Sequence, residues 1–195
     1  MSLITITTAG CKYLRAALYA TLTGGVFAFS SQACLTDCSI DVYFTGTYTD
    51  ETCDVVINNA SSNEVVTLPR ISAASLVNNG SEAGSVPFDI MLKNCPASRT
   101  VTVFFNSSAT AADGETGNLV NNTGSTYSNN VQIRLRKENS SQVIIDDATS
   151  GQDYVISSAA EPISHTFTAS YYAKGDAAVT AGQVHAIAGV ELVYK

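Results

Sequence analysis

The sequence closes with GQVHAIAGVELVYK, residues 182–195, in which every second residue is apolar. The apolar row consists of Val184, Ala186, Ala188, Val190, Leu192 and Tyr194. Because successive side chains of a β-strand point to opposite faces, this alternation predicts a strand over 184–194 with one face in a core. A strand at a sheet edge leaves backbone N–H and C=O groups unpaired, and proteins usually cover such an edge. The stretch therefore raises the question of what covers this edge.

Composition and charge narrow the class of protein. The 195 residues suit one domain, and 45% of them are hydrophobic while only 14% are charged, a balance typical of secreted all-β proteins. The formal net charge is −7 and the isoelectric point is near 4.6. Such a molecule repels nucleic acid phosphates and anionic lipid heads. We therefore expect neither nucleic acid nor a membrane as a partner.

The N-terminal region has the layout of a secretory signal peptide. Lys12 and Arg15 precede AALYATLTGGVFAFSSQA, an apolar run that ends in small residues before Cys34, and this order of basic, apolar and small residues predicts export and cleavage. The run is too short for a membrane span, which needs about 20 apolar residues. Cleavage is predicted after Ala33, with Ser30 as the alternative position. Cleavage after Ala33 leaves residues 34–195, which lose two basic residues and no acidic one.

Four cysteines remain after the predicted cleavage, and an even number in an oxidising compartment predicts disulfides. Cys53 and Cys95 each lie in or beside an extended apolar segment, so we prefer this pair, with Cys34 and Cys38 as a second one. The two other pairings remain open. Lipidation of Cys34 is the alternative, although the preceding residues lack the usual Leu or Val. The cysteine spacing has no matching histidines, which disfavours a metal site.

The rest of the predicted mature chain alternates short apolar segments with turns rich in Gly, Asn, Ser and Asp. Candidate strands, rich in β-branched or aromatic residues, cover 40–48, 53–58, 64–68, 86–94, 99–106, 130–137, 142–146, 163–173 and 184–194. Many short strands at this spacing predict a single β-sandwich.

Residues that carry catalysis or bind metals are sparse. His165 and His185 are the two histidines, and each lies within a predicted strand. No G-x-S-x-G turn or calcium-loop pattern occurs. Asp146 and Asp147 are adjacent, so in an extended chain they point to opposite faces and make a poor acid–base pair. We expect no enzyme activity, no catalytic residue, no metal and no cofactor.

Four segments, in order along the chain, resemble pilin subunits assembled by the chaperone–usher pathway. In VYFTGTYTDETC (42–53), an apolar-x-Phe-x-Gly-x-apolar stretch precedes a cysteine seven residues after the glycine, as in the opening of these subunits. SAASLVNNGSEAGSVPFDIMLKNC (72–95) is similar to the family's run toward its second cysteine. FTASYYAKG (167–175) and AGQVHAIAGVELVYK (181–195) resemble its last two strands, including the penultimate tyrosine.

The resemblance implies an immunoglobulin-like β-sandwich that lacks its last strand. In such a subunit the final strand borders an open groove, which a periplasmic chaperone fills first and the N-terminal arm of another subunit fills afterwards. The implied donor residues are Ile40, Val42, Phe44, Gly46 and Tyr48. The implied groove and chaperone-binding residues are the apolar row of 184–194 and Lys195. The alternative interpretation of 40–48 is the first strand of a complete sandwich.

Two features depart from the family pattern. Cys34 and Cys38 lie within the segment that the resemblance assigns to the arm, where a disulfide would tie it into a small loop. Val190 stands where the family often has phenylalanine, which changes the packing of the closing strand without changing its plan.

The implied domains are a signal peptide (1–33), a donor-strand arm running into the first strand (34–50) and a pilin domain (51–195). The implied function is that of a structural subunit, similar to the major subunit of type 1 pili, in an adhesive fimbria on the bacterial surface. Its implied partners are identical or related pilin subunits, the periplasmic chaperone and an outer-membrane usher. The alternative is a minor tip or adaptor subunit, or a ligand-binding adhesin module, although an adhesin would normally carry a further lectin domain.

Overall fold

The computed structural model describes residues 52–195. The strands are β1 (Asp54–Ile57), β2 (Glu82–Lys93), β3 (Thr100–Asn106), β4 (Leu119–Val120), β5 (Val131–Lys137), β6 (Gln142–Val143), β7 (Gln152–Val155), β8 (Ile163–Ala173) and β9 (Gly189–Tyr194). The helical content of this region is two short 3₁₀ turns, Ala73–Ser75 and Ala148–Ser150. Within residues 52–195, no helix is long and apolar enough to cross a bilayer.

The strands form two sheets in which all strand pairs are antiparallel. The six-stranded sheet has the order β1-β2-β8-β5-β4, with β6 also paired to β5, and the three-stranded sheet has the order β7-β3-β9. Among the described residues β9 pairs only with β3. Within residues 52–195, β9 is therefore one of the two edges of the smaller sheet, and β7 is the other.

The core lies between the two sheets and is filled by the inward-facing residues of β2, β3 and β8. Phe88 of β2 lies opposite Phe167 of β8, and Phe105 of β3 packs edge-on against both rings, with centroids 6.2 and 5.4 Å away. Tyr154 of β7 is fully buried, and its hydroxyl donates to the carbonyl of Ile90 at 2.9 Å. The predicted all-β sandwich is confirmed.

A polar network braces the long loop between β3 and β5. The Asp113 carboxylate accepts hydrogen bonds from Lys174, from Gln132 and from two backbone amides of its own turn. Burial alone would raise the pKa of Asp113, but these hydrogen bonds together lower it to about 2. Farther along the loop, buried Asn121 donates to the carbonyl of Gln183 at 3.0 Å and accepts from the amide of His185 at 2.8 Å. The braced loop thereby holds the segment that leads into β9.

Several predicted strands have different bounds in the structure. The prediction for 163–173 matches β8, whereas β2 begins before the predicted position 86 and β6 ends before the predicted position 146. Residues 64–68 are not a strand, and the final strand begins at Gly189 rather than at Val184. The strands β4 and β7 lie in segments without a predicted strand. The predicted signal peptide, the arm and the Cys34–Cys38 pair lie outside the described residues.

Candidate functional site

The segment 184–194 carries a row of half-buried apolar side chains along the edge of the smaller sheet. Every second residue packs against the main core and keeps part of its surface exposed, while the residues between them point outward. The half-buried row is Val184, Ala186, Ala188, Val190, Leu192 and Tyr194. Ile187, on the opposite face, is 51% exposed. The predicted apolar face therefore exists, but it is incompletely covered by the described residues.

The predicted strand is only partly regular. Val184, Ala186 and Ala188 precede β9, so their assignment to the final strand was wrong. The physical reason is that this stretch runs beside the β3–β5 loop, which offers side chains in place of a strand: the Ile187 amide donates to Thr110 Oγ1 at 2.9 Å. The side chains nevertheless continue the same alternation of half-buried and exposed positions from 184 to 188.

The backbone of this segment alternates in the same way. Lys195 N–H donates to the carbonyl of Thr100 at 2.9 Å, and the antiparallel register places Val193 and Glu191 in the same hydrogen-bonded positions toward β3. The residues between them, among them Leu192, direct their N–H and C=O groups to the other side. Neither these groups nor the amides of Val184, Ala186 and Ala188 have a hydrogen-bond partner within residues 52–195.

A second extended segment, 64–71, also lacks backbone partners. It makes no backbone–backbone hydrogen bond to the part of the chain that the structure describes. Val66 and Leu68 are half-buried against the main core, whereas Thr67 between them is exposed and Val65 before them is 83% exposed. The alternation explains the prediction of a strand over 64–68. The absence of a neighbouring strand in this region explains why no strand forms.

A cavity of 710 Å³ lies at the start of the half-buried row. It is lined by residues 70–73 and Leu76 on one side and by 179–185 on the other, with Val131 and Tyr171 at its floor. The cavity and the half-buried row are continuous, since Val184 lines the cavity and begins the row.

The opposite end of the row is fixed to the first described strand. Cys53 and Cys95 form a disulfide, as preferred from the sequence, and both residues are buried. The backbone N–H of Cys53 also donates to the hydroxyl of Tyr194 at 2.7 Å. Lys195, at the end of the strand, forms an exposed ion pair with Asp153 at 3.0 Å, and the pKa of that carboxyl is lowered by its hydrogen bond from Thr102 and then by Lys195.

The remaining sequence-derived residues fall into two groups. Ile40, Val42, Phe44, Gly46 and Tyr48 lie outside the described residues, and their donor role stays a prediction. The two histidines have different neighbours. His165 packs edge-on against Tyr154 with ring centroids 4.6 Å apart, and His185 faces Asn122. In residues 52–195 no group of acidic, histidine or cysteine side chains is arranged to hold a metal ion.

Two features of this edge had no counterpart among the sequence predictions. They are the hydroxyl contact of Tyr194 and the lack of backbone–backbone hydrogen bonds from 64–71 to other residues of 52–195. Tyr194 is recognisable in the sequence as the penultimate tyrosine. No pattern in the sequence shows that its hydroxyl accepts a hydrogen bond from the amide of Cys53, 141 residues away. The alternation of Val66 and Leu68 was visible in the sequence and predicted a strand over 64–68. It did not indicate that the backbone of this segment would lack a neighbouring strand within residues 52–195.

Comparisons with known proteins give a consistent result. The family model "Fimbrial protein" matches residues 42–195. The F17 fimbrial protein of Escherichia coli is 34% identical over 179 residues, which cover 88% of this chain and 96% of that protein. The serotype 2 fimbrial subunit of Bordetella pertussis is 32% identical over 206 residues, with 91% of this chain and 96% of that protein covered.

Two solved structures share the fold at low sequence identity. The P pilus rod subunit PapA superposes with a TM-score of 0.58 at 20% identity, covering 73% of this chain and 99% of that one. A subunit from a structure of a chaperone–usher pilus gives a TM-score of 0.57 at 21% identity, covering 83% and 98%. The sandwich described above is the one that these subunits have.

Proposed function

The chain belongs to the fimbrial protein family and is a structural subunit of a fimbria on the bacterial cell surface. From this premise we propose that it polymerises through the edge along 184–194, whose outward backbone groups have no partner within residues 52–195. The family consists of structural proteins and not of enzymes. Its fold is the immunoglobulin-like sandwich of chaperone–usher pilins. What remains to be assigned is which residues join one subunit to the next.

The observation that carries the proposal is the combination of half-buried side chains and unpaired backbone on one edge. An added strand beside 184–194 would pair with the free N–H and C=O groups and would cover the apolar row at the same time. Such strand addition draws affinity from main-chain hydrogen bonds and specificity from alternate side chains. An uncovered apolar edge is an aggregation hazard, so the edge is expected to be occupied in every stable form of the subunit.

The proposed occupant in the fibre is residues 40–48 of another subunit. This segment has its own period-2 row, Ile40, Val42, Phe44, Gly46 and Tyr48, so one face of it would enter the groove while its backbone pairs with the free edge. Glycine in such a row suits a close approach between two backbones. The segment 64–71 is proposed as the second wall, because it too has half-buried alternate side chains and no backbone partner among residues 52–195.

Before assembly, a periplasmic chaperone is proposed to supply the missing strand, and an outer-membrane usher to receive the complex. This proposal rests on the aggregation hazard of the open edge and on the family. The domain division follows: 1–33 as the signal peptide, 34–50 as the arm and 51–195 as the domain that carries the groove. Lys195 is proposed as the chaperone's anchor point.

A pair of adjacent substitutions tests the role of the edge. Ala188→Asp places a charge in the half-buried row, whereas Ile187→Asp places the same charge on the opposite, exposed face of the same segment. Electron microscopy of cells that produce each variant should show no fibres for Ala188→Asp and normal fibres for Ile187→Asp. Normal fibres from Ala188→Asp would refute the assignment of this edge.

Deletion of the gene tests the position of the subunit. Loss of whole fibres is the expected result for a structural subunit of the shaft. Loss of only the fibre tip would favour the alternative of a tip or adaptor subunit.

A further inference from the structure

The place where the arm joins the domain and the end of the groove edge meet in one small cluster of contacts. Cys53, the second described residue, donates its backbone N–H to Tyr194 Oη at 2.7 Å. The side chain of Cys53 is bonded to Cys95. Tyr194 in turn lies opposite Val101 of β3. We call Cys53, Cys95 and Tyr194 the base clamp.

The two bonds of the base clamp restrain different parts of Cys53. The disulfide holds its side chain but leaves rotation about the backbone bonds that lead to Thr52. The bond to Tyr194 holds the amide itself, and an amide bonded to a fixed acceptor sets the direction in which the preceding residue leaves. Together they fix both the position of Cys53 and the orientation of its peptide group.

Tyr194 is suited to this role because its backbone belongs to β9 while its hydroxyl contacts Cys53. Its backbone lies in the alternate positions of β9 that face the free edge, and its ring packs half-buried against the main core. Its hydroxyl has one hydrogen bond within residues 52–195, the one from Cys53. Core packing alone would be served equally by phenylalanine, so the hydroxyl needs a separate explanation.

We propose that the hydroxyl of Tyr194 is a positioning group that sets the angle between a subunit's groove and its own outgoing arm, and thereby the rotation from one subunit to the next in the fibre. The inference rests on the proposed function. In that function the incoming strand lies along 184–194 and the outgoing arm, 34–50, ends two residues before Thr52. The angle between them is therefore a property of each subunit, and the base clamp is the joint at which it is set.

The test compares Tyr194→Phe with Tyr172→Phe. Both variants lose one hydroxyl and keep the ring, but the Tyr172 hydroxyl has no hydrogen bond to any residue of 52–195, and the ring of Tyr172 keeps its contact with Arg134 at 3.9 Å. Helical reconstruction of fibres from cells that produce each full-length variant measures the rotation per subunit. Tyr194→Phe fibres should show a shifted or broadened rotation, and Tyr172→Phe fibres should match the wild type. The same rotation and spread in all three would overturn the proposal.

A second readout applies even where fibres do not form. This readout uses subunits purified from the periplasm together with any protein bound to them. The Cys53 amide hydrogen should exchange about two- to tenfold faster in Tyr194→Phe than in the wild type, because the variant loses one net hydrogen bond. Unchanged exchange at Cys53 would overturn the clamp. Absence of fibres from the wild-type chain would instead count against the proposed function, and the exchange measurement would still decide for or against the clamp.

Discussion

Removal of the Cys53–Cys95 disulfide should lower the free energy of unfolding by about 4 kcal/mol. The two cysteines are separated by 42 residues in sequence, and closing a loop of that length restricts the unfolded chain by this amount in the entropic treatment. Both residues are buried, so the reduced thiols remain in the core and the native contacts change little. Most of the effect should therefore come from the unfolded state.

The measurement requires a subunit whose groove is filled. Residues 51–195, followed by a flexible linker and a copy of residues 39–50, supply the proposed donor strand in the same molecule and leave out Cys38. Urea unfolding followed by circular dichroism should show the midpoint falling by about 2 M on reduction, for a slope of about 2 kcal/mol/M. The Cys53→Ala/Cys95→Ala variant should fall by a similar amount and should not respond to reductant.

A urea midpoint that decreases by less than about 0.5 M would refute this reasoning, because the loop entropy alone predicts a decrease several times larger. A large decrease for the alanine variant without one for the reduced wild type would assign the effect to lost packing and not to the cross-link. The same protein without the fused segment should aggregate. If it is instead soluble, unfolds cooperatively and does not respond to an added 39–50 peptide, the sandwich is already complete and the groove assignment is wrong.

Three further outcomes are expected. Phe44→Asp or Gly46→Leu should leave the subunit recoverable from the periplasm but absent from fibres, because these residues are proposed to fill the groove of another subunit. Normal fibre yield on immunoblots would instead indicate that 40–48 is a strand of the subunit's own sandwich. Deleting Val193–Lys195 removes the register pairs at the end of β9 and the Tyr194 contact, so co-purification of the subunit with its chaperone should be lost, and retained co-purification would contradict this. The pKa of Asp113 is lowered to about 2 from a usual value of 3.8, so its stabilising effect is present above pH 4 and is lost as the pH falls toward 2. The urea midpoints of wild type and Asp113→Asn, both with the fused segment, should therefore differ at pH 7 and converge as the pH falls toward 2, while a constant difference would exclude this linkage.

Strands were predicted correctly from the sequence where an alternating segment also has a neighbouring strand of the same chain to pair with. Residues 163–173 form β8 with the predicted bounds because β2 and β5 flank the strand on both sides. The same alternation over 64–68 and 184–188 indicates extended chain correctly, yet no regular strand forms there, since a strand also needs a neighbour. In this subunit the neighbour is proposed to come from another molecule.

Other features had no pattern to reveal them. The strands β4 and β7 are short and lie among polar loop residues, so local sequence carries little information about them. The Asp113 network joins residues from the β3–β5 loop, β5 and the end of β8. Such a network depends on tertiary contacts between positions far apart in sequence, and neither composition nor periodicity records these contacts.

The order of strands in the larger sheet also governs when the subunit can fold during synthesis and export. The sheet's middle strand, β8, is one of the last elements of the sequence, and it pairs with β2 at separations on the order of 80 residues. The smaller sheet likewise closes only when β9 reaches β3. The first half of the described residues therefore offers only the β1–β2 strand pair, and folding of this kind is slow because distant segments must meet before their contacts repay the loss of chain entropy. Until β8 and β9 emerge, β2 and β3 each lack one of their two neighbouring strands, which makes the half-exported chain a substrate for proteases and for aggregation. Mutations that slow the arrival of the last 30 or so residues should on this reasoning reduce the yield of subunit before they reduce its stability.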